Sequence, residues 1–96
     1  MKPTKQNISG TDFFGDDVPC SLETMTKWLG QPPAGPFIDD KAQYEWLMEL
    51  EDGTVFTVYD YKHRKIEEGT IVYWHIGAFS SSASKRAKNE ILKNEN

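Results

Sequence analysis

The two histidines, His63 and His75, are the obvious candidates for proton transfer in this sequence. Asp60, Lys62 and His75 would form an acid–base group if strand register brought them within hydrogen-bond reach of one another. Nothing else supports a reaction centre. No serine sits in a nucleophile-elbow sequence, and neither a P-loop nor GxGxxG occurs. Two histidines without further placed ligands do not make a zinc site. Asp12, Asp16 and Asp17 offer oxygens of the kind that hard cations take, but their spacing lacks the EF-hand pattern. The expectation is therefore no enzyme, no metal and no cofactor, with a small enzyme built on His75 and Asp60 as a third-ranked alternative.

A different set of residues suits binding. Tyr59, Tyr61, Tyr73 and His75 fall on one face of the strands described below, with Lys62, Arg64 and Lys65 at its end. Flat rings can receive bases while cations meet phosphates. A phenol also covers a large area and keeps a polar handle, the mixture found at protein interfaces. The candidate partner- or ligand-binding residues are Tyr59, Tyr61, Lys62, Arg64, Tyr73 and His75.

Both sets depend on the stretch from Gln43 to Phe79. Asp52-Gly53 lies between two apolar runs, and these residues tolerate the positive φ angles of a tight hairpin. Before it Trp46, Met48 and Leu50 alternate with Glu45, Leu47 and Glu49; after it Phe56 and Val58 alternate with Val55, Thr57 and Tyr59. A third run sets Val72, Trp74 and Ile76 against Ile71, Tyr73 and His75. Side chains alternate across a strand. One face should therefore bury Trp46, Met48, Phe56, Val58, Val72, Trp74 and Ile76. The reverse should carry Glu45, Glu49, Thr57, Tyr59, Tyr61, Tyr73 and His75. The polar run from Lys62 to Thr70 reads as a long, mobile hairpin connection.

Ser21 to Gly30 carries helix signals: a capping serine, an acidic Glu23 in the first turn, and Leu22, Met25 and Leu29 at helical spacing before a terminal glycine. So short a helix cannot stand alone in water and must pack on the sheet. Gln31 to Pro36 is a proline-rich, extended connection. Beyond the serine cluster at 80–82, Ala83, Ala87 and Ile91 form a thin apolar stripe on a second helix. Thr11 to Pro19, with Phe13 and Phe14 paired beside Gly15, suggests a loop or short edge strand pinned to the core by its aromatics. The expected fold class is α+β: a three-stranded antiparallel β-meander packed against an N-terminal helix, with a C-terminal amphipathic helix. Residues 1–10 should be a flexible N-terminus and 11–96 a single domain.

With 96 residues there is room for one modest core. No apolar run is long enough to span a membrane, and no secretory signal follows the basic start; a soluble, cytoplasmic protein is the default expectation. The lone Cys20 excludes an intrachain disulfide. It precedes a helix start, where the dipole could lower a thiol pKa, although a half-buried structural role is favoured. Net charge is −4, divided into −7 over residues 1–60 and +3 over 61–96. The acidic part argues against duplex DNA, which needs a contiguous basic surface.

Leu29-Gly30-Gln31-Pro32, Glu45-Trp46, Tyr59-Asp60-Tyr61-Lys62 and Trp74-His75-Ile76-Gly77 follow one another in the order seen in a group of small bacteriophage proteins. In that group an LG-x-P helix end, an EW strand, a YDYK or YDWK strand and a W-x-I-G strand recur. The chain resembles them over roughly residues 13–92. The resemblance implies a phage accessory protein acting in the host cytoplasm, and no catalytic role. The functional expectation is a protein that binds and inhibits a host protein, for instance one of a defence system, through its polar-aromatic sheet face. The alternative is sequestration of a small signalling nucleotide. The sheet face or the C-terminal helix could also join two copies.

Overall fold

A computed structural model of the chain describes residues 1–33, 42–61 and 65–95. Its elements are β1 (Lys2–Pro3), β2 (Asp12–Ser21), α1 (Leu22–Leu29), β3 (Glu45–Glu49), β4 (Val55–Tyr59), β5 (Ile71–Ala78) and α2 (Ser81–Leu92), followed by a 3-10 turn over Lys93–Glu95. The fold is α+β. The strands form one antiparallel sheet in the order β1-β3-β4-β5-β2.

The expected β3-β4-β5 meander lies in the middle of this sheet, but it is not the whole of it. Among the described residues the sheet has five strands, not three. β1 extends one edge, within a segment expected to be flexible: Lys2 pairs with Glu49 and Pro3 with Met48. Thr4 and Gln6 then bond to Glu49 and Gly53. β2 extends the other edge along β5 and runs directly into α1. Its sequence suggests a loop or short edge strand, and its full length is obscured for two physical reasons. The register breaks between Phe13 and Asp17, where Gly15 has φ +96°, so the apolar alternation is interrupted by a bulge. Pro19 then removes an N–H, which a strand tolerates at a sheet edge.

The turn between β3 and β4 closes as expected. Leu50 N–H donates to the Thr54 carbonyl at 2.8 Å, Gly53 N–H to that of Leu50 at 2.9 Å, and Thr54 N–H to the Asp52 carboxylate at 3.0 Å. Both helices begin on serine caps. Ser21 Oγ accepts from Thr24 N–H and Ser80 Oγ from Ala83 N–H, each at 3.1 Å. Gly30 ends α1, its N–H reaching the Thr26 carbonyl at 2.8 Å.

Both helices cover the same side of the sheet. Met25 and Leu29 of α1 and Ala87 and Ile91 of α2 join Val18, Trp46, Met48, Phe56, Val58, Val72, Trp74 and Ile76 in one core. Trp46 and Trp74 meet edge to face at its centre, centroids 5.3 Å apart. Each indole N–H is satisfied by a carbonyl, Trp46 by Gly30 at 2.8 Å and Trp74 by Cys20 at 3.0 Å. A buried indole needs such a partner, so the two bonds tie the ends of β2 and α1 to the central strands. α2 is pinned as well: buried Ser84 donates to Asp16 at 2.7 Å, and Lys85 stands 3.5 Å from the other oxygen of that carboxylate.

Candidate partner-binding face

The reverse side of the sheet faces away from both helices, and His75 is its centre. Tyr59 of β4 pairs with His75 of β5, which in turn pairs with Asp17 of β2. Three rings surround the imidazole. Phe13 lies on it nearly parallel, centroids 4.0 Å apart and planes 10° from parallel. Tyr61 stacks more loosely at 5.4 Å and 22°, and Tyr59 meets it edge-on at 5.6 Å. Phe13 comes from the β2 side and Tyr61 from beyond the end of β4, so the rings reach His75 from both flanking strands.

The floor of this cluster is Gly77. A Cβ there would stand 2.5 Å from Thr57 Oγ1 and 3.6 Å from Cε1 of Tyr59. Thr57 and the Tyr59 ring therefore occupy the space above the glycine, and its lack of a side chain lets the tyrosine lie low against the sheet. Thr57 was expected among the solvent-facing residues, but it is only 2% exposed. Its strand neighbours in register are Leu47 and Gly77, and the packing around that glycine seals it.

Burial holds the His75 pKa below its ordinary value; the Asp17 carboxylate pulls the other way with less effect. The imidazole is thus favoured in its neutral form, which suits a ring stacked on a phenylalanine.

Around the cluster the face presents large apolar surface to solvent. Tyr73 is 61% exposed, Ile71 56%, and Phe13 and Tyr61 42% each. Glu45, Glu49 and Asp17 lie on the same side by strand alternation. The expected Tyr59, Tyr61, Tyr73 and His75 thus come together on one face. Lys62 and Arg64 lie outside the described residues, as does His63. Phe13 and Asp17 belong to the face and were not expected there, while Ile71 follows the alternation expected of its run with Tyr73 and His75. The available signal was the Phe13-Phe14 pair, read as an anchor to the core, whereas Phe13 packs on the opposite side of the sheet.

The proposed acid–base group does not assemble. Asp60 follows Tyr59 in the strand alternation and is completely buried, whereas His75 stands on the open face beside Tyr59. Asp60 Oδ1 instead accepts the backbone N–H groups of Gln43 at 2.9 Å and Tyr44 at 2.7 Å, clasping the open end of the β3–β4 hairpin. Its Oδ2 is buried with no hydrogen-bond partner. The aspartates of β2 are likewise dispersed, Asp16 to Ser84 and Lys85 and Asp17 to the face of His75. Among the described residues no group of three or more His, Cys, Asp or Glu could hold a metal. Cys20 is buried, and desolvation pushes its thiol up to about 11, against a smaller opposing effect of Trp74. The helix start therefore does not activate it.

A second concavity of about 690 Å³ lies between the β3–β4 turn and α2, lined by Met1, Leu50, Asp52, Arg86 and Glu90 among others. Its two basic side chains are already engaged, Arg86 with Asp52 and Lys93 with Glu90, while Glu51 also lines it. It offers no spare chemistry comparable to the aromatic face. Among the described residues, no helix is long and apolar enough to cross a membrane.

Comparison with protein-family models, curated proteins and solved structures finds no match to this chain.

Proposed function

We propose that this chain is a non-enzymatic recognition protein that binds another protein through the reverse face of its sheet and thereby inhibits it. The observation that carries the reading is the exposed row of Phe13, Tyr61, Ile71 and Tyr73, on the one sheet face that neither helix covers. Large rings at low conformational cost, rimmed by polar groups, supply the anchors of protein interfaces. Tyr59 and Tyr61, which lie on this face with His75, belong to the YDYK motif, and His75 to the W-x-I-G motif, by which the chain resembles phage accessory proteins. A host protein, such as a defence component, is accordingly the proposed target.

Charge favours a heterologous partner over a second copy. Asp17, Glu45 and Glu49 rim the face, and residues 1–60 carry a net −7. Two copies joined through it would set like charges together, whereas a partner with cationic residues would be attracted. Nucleotide capture is the weaker reading. The Phe13–His75 stack at 4.0 Å leaves no gap for a base, and the carboxylates of Asp17, Glu45 and Glu49 on this side of the sheet repel phosphates.

The test is capture of partners from bacterial lysate on immobilised protein, followed by titration of the purified partner. A stoichiometric complex that is lost in Phe13→Ala or Tyr73→Ala, with the circular dichroism unchanged, supports the reading. Thermal stabilisation by a cyclic or dinucleotide without any protein complex would favour the alternative, and concentration-dependent self-association would favour a homo-oligomer.

A further inference from the structure

We infer that the reverse face recognises an arginine side chain of its partner, seated where Tyr73 meets Asp17. This rests on the protein-binding reading above and names the chemistry that the face reads.

The corner is defined by register. Pro19 pairs with Tyr73 and Asp17 with His75, so Asp17 and Tyr73 are diagonal neighbours across β2 and β5 on the same side of the sheet. Such positions lie about 7–8 Å apart at Cα, close enough for one long side chain to meet both. Tyr73 is the most exposed large hydrophobic side chain among the described residues, at 61%. Its phenol ring is therefore available to a planar cation, and the carboxylate stands to one side of it.

Asp17 is the acid of this corner. Its sequence neighbour Asp16 accepts from Ser84 and faces Lys85. Among the described residues the Asp17 carboxylate makes no hydrogen bond or ion pair and only acts at longer range on His75. Lys65, on the connection leading to β5, is paired with Glu67. An acidic group beside an open aromatic ring is the pairing that a guanidinium satisfies best. The flat cation stacks on the ring while its N–H fork meets the carboxylate. A lysine would supply the charge without the fork, and a neutral side chain would supply neither.

The test uses two capped pentapeptides, Gly-Ser-Arg-Ser-Gly and the same peptide with citrulline replacing arginine, titrated into the isotopically labelled chain and followed by amide NMR. Citrulline keeps the planar shape and loses the charge. The expected result is a set of shifts centred on Asp17, Val18, Tyr73 and Trp74. Their slope against concentration should be about threefold steeper or more for the arginine peptide, the scale of an exposed cation–ring contact. Asp17→Asn should bring the arginine slope down toward that of citrulline by removing the carboxylate's share, and added salt should lower it progressively. Equal slopes for the two peptides, or an arginine slope unchanged by Asp17→Asn, overturn the inference. Tyr73→Leu, which keeps bulk on the strand, serves beside Tyr73→Ala should the smaller variant fold poorly. With the captured partner, binding that is lost on Tyr73→Leu but indifferent to Asp17→Asn sinks the arginine site and leaves the docking face standing. Binding indifferent to both sinks the docking face itself.

Discussion

Phe13 lies flat on His75, ring centroids 4.0 Å apart and planes 10° from parallel, joining the edge strand to the middle of the open sheet face. Phe13 covers one face of the imidazole, and burial of that ring is what lowers the His75 pKa. Because the folded state binds this proton more weakly than the unfolded chain, stability is lost as pH falls from about 6.5 through the folded pKa. Above that window the effect is absent. In Phe13→Ala the ring is uncovered, and the His75 pKa should rise toward its ordinary value. NMR titration of the imidazole Cε1–H checks both points; a His75 pKa untouched by Phe13→Ala would contradict the role given to the stack.

Gly77 has no room for a methyl group. Alanine there would drive a carbon to 2.5 Å from Thr57 Oγ1, while meeting the Tyr59 ring at an ordinary contact distance of 3.6 Å. The expected cost of Gly77→Ala is about 1–3 kcal/mol, as for other overpacked sites. Thr57→Ala should recover part of it, because the two residues share one space and their effects couple. Urea denaturation of the four proteins of this cycle measures the coupling, and strict additivity would rule out the proposed clash.

Asp60 works through one oxygen. Its Oδ1 takes the Gln43 and Tyr44 amides while Oδ2 is buried without a partner. Asparagine retains the accepting carbonyl and can present it to the same amides; leucine cannot. Asp60→Leu should therefore be less stable than Asp60→Asn by about 1–3 kcal/mol, the penalty for donors deprived of an acceptor. Equal stability of the two variants would show that the clasp contributes nothing. Since Asp60 stands apart from His75, neither change should alter the His75 titration.

Cys20 should be slow to react. With its thiol raised to about 11 by burial, little thiolate exists at neutral pH. Labelling by a disulfide reagent at pH 8 is expected to follow unfolding and to become immediate in guanidinium. Rapid labelling of the native chain would mean that the segment around β2 opens readily.

How far the sequence discloses this fold depends on where alternation is clean. Trp46, Met48, Phe56, Val58, Val72, Trp74 and Ile76 were all assignable to one buried face, and all seven are buried. Tyr73 and His75 were assignable to the other because two-residue periodicity runs cleanly from Ile71 to Ile76. The helix limits were legible from their caps at Ser21 and Gly30. β2 was legible only as a loop or short edge strand, because Gly15 and the bulge interrupt its pattern and Pro19 discourages a longer strand reading. Phe13, Asp17 and their contact with His75 were lost with it. Asp60 was paired with His75 on chemistry alone, although a residue adjacent to Tyr59 must look the other way. Thr57 shows the converse limit: alternation fixes a side chain's direction, while local packing decides whether water reaches it.

The reverse face as a docking surface is tested most directly by the affinity of the purified partner for the wild-type chain and for Tyr73→Ala, measured by titration calorimetry. Tyr73 is well exposed and plays little part in the core, so its truncation should leave the thermal unfolding midpoint nearly unchanged. The account predicts one-to-one binding weakened about tenfold or more, the loss expected at an aromatic anchor. Undiminished affinity in Tyr73→Ala, and again in Phe13→Ala, would place the interface elsewhere on the molecule and contradict it.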